Sequence, residues 1–466
     1  VDEVFVNYFH NWAPSFVLIW NPADERSFTA FIGGGHHRIV DAVDVDRDGR
    51  KEMVLLGINS PFGWYRVLAV ARLWENASSG AAAQRVTNGA FSADQGGGAS
   101  ETNLIDYVLL PRGIFSEDSR ELRAVDDRTF VLDYGHGRVV RIDLGGCGLL
   151  APAAALDCAA LRSRRMSAFG NLREGLQRGR VGVLDEAIEA FDAAERDARA
   201  ARDPILLELV RRWRGMTLLL RGRTAEGGEV LSGLVRDSEN GLEIADDAGR
   251  ELHKAGRLEE AVAWYSRALE RAGPEQTGRS ESYPREGLLL ALAELGRFDE
   301  AARWADRWAA DSRSITVTRV PWYRAFLAWR RGTAVDPPPL STGSSDLLHV
   351  WSFEMQLARN AEPEPLLARA REEFIDAVRA RGPLLSVQAE LLDRLGRPAE
   401  ARAVAREAWR ETENVVRTEV WTRAHLDLVV ERVARLVGGK EARDARALLA
   451  TIQAEAHRPG PGAAVR

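Results

Sequence analysis

The sequence predicts a multidomain α+β chain, with an N-terminal all-β domain followed by an all-α solenoid of paired helices. Three observations carry this. Short β-branched and apolar runs bounded by Gly, Asn, Pro or Asp fill the first 147 residues, the pattern of strands and turns. Near residue 160 the apolar period changes from two to about three and a half. Finally, a glycine is followed five positions later by a small residue at Gly182/Ala187, Gly222/Gly227, Gly256/Ala261, Gly296/Ala301 and Gly396/Ala401. In the first three, another glycine lies seven residues upstream, at Gly175, Gly215 and Gly249. A register held at three points of a helix-turn-helix unit marks a stacked repeat.

At 466 residues the chain exceeds one ordinary core. The expected division is a β-rich domain over 1–147, a linker over 148–165, a solenoid over 166–457 and a disordered tail over 458–466, rich in Pro and Gly. The net charge of −6 belongs to the N-terminal part: residues 1–150 hold 14 basic and 20 acidic residues, and the remainder balances at 49 against 49. Lys51, Lys254 and Lys440 are the lysines, so the positive charge is nearly all arginine, a bias that suits a GC-rich bacterial genome. Without a basic stripe, nucleic acid is not the expected partner. There is no apolar run long enough to span a membrane and no signal-peptide pattern. The chain opens at Val1, as a fragment or processed form would. Cys147 and Cys158 are too few for a disulfide framework, and one bridge or two thiols are both open.

In order along the chain, Val4–Val6, Val17–Trp20, Ile39–Val43, Glu52–Gly57 and Tyr65–Val70 read as strands. Residues 128–132 and 138–142 flank Gly135-His136-Gly137 as a hairpin, and the Gly-, Ser- and Ala-rich segment 77–100 reads as a loop. Between two of these strands stands Asp44-Val45-Asp46-Arg47-Asp48-Gly49-Arg50-Lys51-Glu52. Carboxylates at positions one, three, five and nine, a glycine at six for the sharp turn, and the Arg50 carbonyl at seven can wrap one hard cation in oxygen. An EF-hand would need flanking helices and an acid at position twelve, where Leu55 stands.

This loop is similar to those of FG-GAP/VCBS-like β-propeller repeats, in which it joins two strands of a blade. The resemblance spans His37 to Val67 and implies Ca²⁺ held by Asp44, Asp46, Asp48, Arg50 and Glu52. With one such loop, the β domain is expected to be a partial propeller or a smaller sheet domain. An acidic hairpin loop without metal is the plainer alternative. Calcium loops of modest affinity suit millimolar extracellular Ca²⁺, which tilts the expected location outside the cytoplasm. His10, His36, His37 and His136 lack partners at zinc spacing, and adjacent histidines on a strand point to opposite faces. Gly33–Gly35 and Gly96–Gly98 are not followed by a phosphate-loop pattern, and no hydrolase, metalloprotease or kinase motif is present. No enzymatic activity is therefore expected.

In the solenoid, Gly249, Leu252, Gly256, Ala261, Tyr265 and Ala268 hold the small, apolar, turn and aromatic positions of a repeat, with Gly215, Leu218, Gly227 and Leu231 preceding them at an offset of 34. This register resembles that of tetratricopeptide repeats, whose unit is about 34 residues. Further units centre on Ala187, Ala301 and Ala401. Asp336-Pro337-Pro338-Pro339 interrupts a unit turning at Gly332. Helices are expected to resume near Asp346, over Pro363–Arg381, and as a final pair over Val415–Leu436 and Glu441–His457. The family resemblance implies that the first helix of each pair lines a protein- or peptide-binding groove. On this sequence its contacts would be Glu243, Asp246, Arg250, His253, Tyr283 and Glu286. Asp246 and Arg250 stand where carboxylate-clamping members carry Lys and Asn, so a C-terminal-carboxylate ligand is not expected. Trp322, Tyr323, Phe326 and Trp329 lie at helical spacing and read as core.

The expected role is a non-enzymatic protein-binding scaffold or sensory module with a Ca²⁺-stabilised β domain. The architecture resembles the C-terminal half of larger bacterial regulators. The alternative is a glycan-binding or glycan-processing domain carried on the solenoid, for which Asp94, Glu101 and Asp106 would have to converge on a cleft.

Overall fold

The computed structural model describes residues 4–8, 15–21, 26–32, 36–45, 47, 49, 51–60, 63–71, 84–86, 104–110, 122–126, 128–133, 139–150, 155–271, 279–310, 317–340, 346–373, 380–416 and 423–456. The chain divides into two compact units, Val1–Arg221 with Glu226–Val230, and Gly222–Ala225 with Leu231–Arg466.

The first unit opens with three sheets. Strands β1 (Val4–Tyr8), β2 (Ser15–Asn21) and β3 (Arg26–Ile32) form an antiparallel meander, with β7 (Gln84–Val86) parallel to β3. The second sheet is antiparallel, β4 (His36–Val43), β5 (Glu52–Ser60), β6 (Gly63–Ala71) and β8 (Leu104–Leu110) in that order. The third sets β10 (Thr129–Asp133) between β9 (Leu122–Ala124) and β11 (Val139–Asp143).

Sheet two explains why its strands read as unbroken apolar runs. Met53, Leu55, Val67, Ala69, Tyr107 and Leu109 share a core with Ala168, Phe169, Leu172, Phe191 and Leu206 of the helices α1 (Cys158–Arg180), α2 (Leu184–Ala200) and α3 (Pro204–Leu220). Their neighbours Val54, Leu56, Leu68, Val70, Val108 and Leu110 face Leu122, Phe130, Leu132 and Ile142 of sheet three. Because successive side chains point to opposite faces, a strand covered on both sides needs apolar residues at every position.

The expected strands appear as β1, β2, β4, β5, β6, β10 and β11, with the hairpin as an antiparallel β10–β11 pair. The strands β3, β7, β8 and β9 are additions; in β8 the acidic Asp106 breaks the apolar signal. The stretch expected as a linker contains the start of α1 and, with Cys147, the Cys147–Cys158 disulfide that ties α1 to the turn after β11. Most of the expected loop 77–100, and the tail 458–466, lie outside the described residues.

Helix α4 (Thr224–Asp237) leads into the second unit. Pairs follow: α5 (Gly241–Lys254) with α6 (Leu258–Arg271), and α7 (Arg279–Glu294) with α8 (Phe298–Ala310). After a 3₁₀ turn (Val317–Arg319), α9 (Val320–Arg330) is followed not by a second helix but by a turn and chain without regular structure through Pro337–Pro339. Proline lacks the amide and disfavours helix in the residue before it. Pairing resumes with α10 (Asp346–Ala358) and α11 (Pro363–Glu373), α12 (Arg381–Arg394) and α13 (Pro398–Val415), and α14 (Leu426–Leu436) with α15 (Gly439–Ala456). The penultimate helix thus begins at Leu426 rather than the expected Val415, because Val415 completes α13, whose amphipathic face continues through buried Trp409 and Thr412. The first helices α7, α9, α12 and α14 each pack on the second helix before them, and α5 meets α7 as α12 meets α14. That alternation defines a helical-repeat solenoid.

The turn glycines share one geometry. Gly182, Gly222, Gly256, Gly296, Gly332 and Gly396 have φ of +80°, +90°, +79°, +72°, +84° and +72°. At Gly256 the amide donates to the His253 carbonyl (3.0 Å) and the Arg257 amide to that of Leu252 (2.9 Å), closing the helix end in the left-handed conformation glycine adopts without steric cost. Gly175 and Gly249 upstream of their turns, and Gly227 downstream of its own, serve close approach instead. A Cβ at Gly249 would lie 2.7 Å from the Tyr265 ring, one at Gly175 2.6 Å from Phe191, and one at Gly227 2.7 Å from the Gly215 carbonyl. Trp322, Tyr323 and Phe326 are buried as expected, with Phe326 stacked on Trp351 at 4.1 Å, whereas Trp329 is only half-buried.

Candidate functional site: the inner face of the second unit and the acidic loop of the first

In the first unit, the loop between β4 and β5 is organised from its ends. The Gly49 amide donates to Asp44 Oδ2 (2.9 Å), and the Val45 amide donates to Glu52 Oε2 (2.9 Å) with Glu52 fully buried. Gly49, at position six, has φ +85°, and Arg47 also lies in the left-handed region at +64°. The remaining expected ligands, Asp46, Asp48 and Arg50, lie outside the described residues. So do the side chains of His10, His36, His37 and His136.

Of the acids proposed for a glycan cleft, Asp94 and Glu101 lie outside the described residues, and Asp106 is not in a cleft. It is fully buried, its oxygens accepting from Arg165 Nη2 (2.7 and 2.9 Å) and from the amides of Tyr107 (2.8 Å) and Gly145 (2.7 Å). Arg165 also donates through Nε to the Tyr107 carbonyl (3.1 Å) and through Nη2 to that of Gly146 (3.3 Å). The pair therefore binds β8, the turn after β11 and α1 together. Arg165 was legible in principle: it is the one charge in the apolar stripe Leu161, Arg165, Ala168, Phe169, Leu172 of α1.

In the second unit, the expected groove residues lie on first helices but are engaged within the protein. Glu243 and Asp246 are buried, and Arg250, whose side chain is about 40% exposed, reaches Asp246 Oδ2 (3.3 Å) and Asp247. His253 is completely buried; its Nε2 donates to Glu294 Oε1 (2.7 Å), leaving Nδ1 to face the Tyr265 hydroxyl at 3.5 Å. Glu286 is buried against Arg319. Burial pushes its carboxyl above the usual range, an effect the Arg319 guanidinium opposes. Tyr283 lies in α7, but its side chain is outside the described residues.

Glu294 and the further carboxylates Glu354, Glu390 and Asp393 are each met by an arginine from far along the chain. Arg423 Nε donates to Glu294 Oε2 (2.7 Å) across 129 residues. Arg432 grips Glu354 with two bonds of 2.6 Å and touches Ser386 Oγ at 3.0 Å. Arg435 pairs with Glu390 and Asp393, and in the opposite sense Arg330 donates to Asp427 at 2.8 and 3.2 Å. Burial opposes ionisation of Glu294, yet His253 and then Arg423 hold its carboxyl below the usual range. Through these links the α14 segment reaches α7, α9, α10 and α12. Groove reasoning missed Glu294, Glu354, Arg423 and Arg432. Glu354 carries a signal in hindsight, a lone acid in the run Val350-Trp351-Ser352-Phe353-Glu354-Met355.

No family model matches the chain, and no match was found among curated proteins. Among solved structures, the chain is similar to a tetratricopeptide repeat protein from Parabacteroides merdae, at 15% identity over 63% of this chain and 100% of that one, with a TM-score of 0.31. It is also similar to the TPR domain of P58(IPK), at 14% identity over 63% of this chain and 99% of that one, with a TM-score of 0.19. Scores this low leave the architecture resting on the helix pairing seen in the chain itself.

Proposed function

We propose that this chain is a non-enzymatic scaffold that binds a protein or peptide through the first helices of its second unit, with a first unit stabilised by Ca²⁺ at the loop Asp44–Glu52. The observation that carries the scaffold reading is the set of largely buried carboxylates Glu243, Asp246, Glu286, Glu294, Glu354 and Glu390 on the first helices α5, α7, α10 and α12 of a stacked helical repeat. Carboxylates placed side by side resist burial unless cations meet them, and such a face selects basic partners. Cross-linking mass spectrometry on the captured partner tests it: cross-links to α5, α7, α10 and α12 are expected, and cross-links confined to the first unit would overturn it.

For the loop, the left-handed Gly49 gives the sharp turn that cation-wrapping loops use, and the amide contacts of Asp44 and Glu52 hold its two ends. Ligand binding to the folded state alone stabilises by about 2.7 kcal/mol at a hundredfold excess over Kd. The first unit is accordingly expected to melt higher in millimolar Ca²⁺ than in EDTA, and Asp44→Ala to abolish the difference. Identical melting in both buffers would remove the metal. The Cys147–Cys158 bridge suits the oxidising, Ca²⁺-rich setting this reading implies.

A further inference from the structure

We infer that the inner face of the second unit recognises arginine-bearing segments, and that helix α14, with Arg423 just ahead of it, is the face's built-in occupant, which a partner must displace. This rests on the scaffold reading and names the chemistry of the partner.

Two sides of the α14 segment do different work. Its apolar side, Leu426, Val429, Val430 and Val433, packs with Trp409 of α13 and with Ala445 and Ile452 of α15, which is ordinary repeat stacking. Its polar side does something stacking does not require. Arg423, with only 2% of its side chain exposed, crosses to Glu294 on α7, and Arg432, 12% exposed, forms a two-pronged pair with Glu354 on α10. Neither α7 nor α10 is the helix against which α14 stacks; those are α12 and α13. A planar guanidinium gripping a carboxylate through two parallel bonds is the arrangement by which proteins recognise arginine in a partner. The lining is prepared for a cation elsewhere as well: Glu286 takes Arg319, and Glu390 takes Arg435. An isolated carboxylate buried at Glu354, 4% exposed, would be costly, so the face is complementary to guanidinium and always needs one. In the free protein the chain's own arginines meet that need. A partner presenting arginines in their place exchanges one set of pairs for another, and its apparent affinity is reduced by the fraction of time α14 occupies the face.

The test uses the full chain and a synthetic peptide with the sequence of residues 423–436. With Arg423→Gln and Arg432→Gln together, the peptide is expected to bind at least about tenfold more tightly than to the unaltered protein, since the occupant's grip is gone. Binding should be lost when the peptide's own two counterparts of Arg423 and Arg432 are glutamine, and weakened in the unaltered protein by Glu354→Gln. Equal affinity for both proteins, or binding indifferent to the peptide's arginines, would overturn the inference. Should the double variant fail to fold, hydrogen exchange on the unaltered protein decides: excess peptide is expected to raise exchange in α14 while α12 stays protected, and unchanged exchange in α14 defeats the proposal. If a captured partner cross-links to the inner face but binds both proteins equally, the scaffold reading stands and this one falls.

Discussion

Tyr265 sits between two glycines, and the same substitution at different glycines should change stability in opposite directions. At Gly249 of α5 an added Cβ would lie 2.7, 2.8 and 3.0 Å from the Cδ1, Cε1 and Cγ atoms of Tyr265. The ring cannot retreat, because on α7 a Cβ at Gly287 would already be 2.4 Å from its Cζ, and Tyr265 is 1% exposed. Overpacking of this kind costs about 1–3 kcal/mol. Replacing a mid-helix glycine by alanine returns about 0.5–1 kcal/mol of backbone entropy. Gly249→Ala is therefore expected to destabilise the second unit by about 1–2 kcal/mol net. Gly233 of α4 has nothing within 4 Å of the same Cβ position, so Gly233→Ala should stabilise by about 0.5–1 kcal/mol. Urea unfolding followed by far-ultraviolet circular dichroism, at constant slope, measures both. In a Tyr265→Ala background the penalty at Gly249 should vanish, a coupling of more than about 1 kcal/mol in a double-mutant cycle. A Gly249→Ala variant as stable as the unaltered protein, or strictly additive with Tyr265→Ala, would refute the packing argument.

Arg165→Ala should cost the first unit about 3–5 kcal/mol by leaving Asp106 charged and buried, measured by denaturant unfolding; a loss under about 1 kcal/mol would show the pair to be dispensable. Reducing the Cys147–Cys158 bridge, which spans 11 residues, should cost about 3 kcal/mol through chain entropy, seen as a lower melting temperature in dithiothreitol. Glu294 has a folded-state pKa below its ordinary value of 4.5, so its contribution is present above that pH and is lost as pH falls through the folded pKa. Acid unfolding should accordingly be shallower below about pH 4.5 in Glu294→Gln than in the unaltered protein, and identical acid limbs would contradict the assignment. Glu286, raised by burial, acts in the opposite sense, because its protonation favours the fold.

Much of the solenoid is legible in the linear sequence because its determinants are local. A left-handed turn admits few residues other than glycine, so Gly256 or Gly396 announces the end of a helix with no knowledge of what surrounds it. The small residues Gly249 and Ala261 register the approach of two helices that are neighbours in sequence. The proline stretch at 337–339 likewise forbids its helix locally. The groove residues were legible only as positions. Periodicity places His253 and Glu286 on first helices, but whether that face meets solvent depends on how tightly the repeat curves, which is a sum over all its packing angles.

Sequence by itself determined the two kinds of secondary structure, the glycine turns between paired helices, the break after α9 and the loop that offers oxygen ligands between β4 and β5. Tertiary structure alone decided that Asp106 is a buried anchor and not a cleft acid, that sheet two is covered on both faces, and that His253, Glu294 and Arg423 form one chain of contacts. The physical reason is range. Turn conformation and helical period are settled within a few residues of backbone, whereas the partner of a buried charge is whichever group folding brings to it, here 59 residues away for Asp106 and 129 for Glu294.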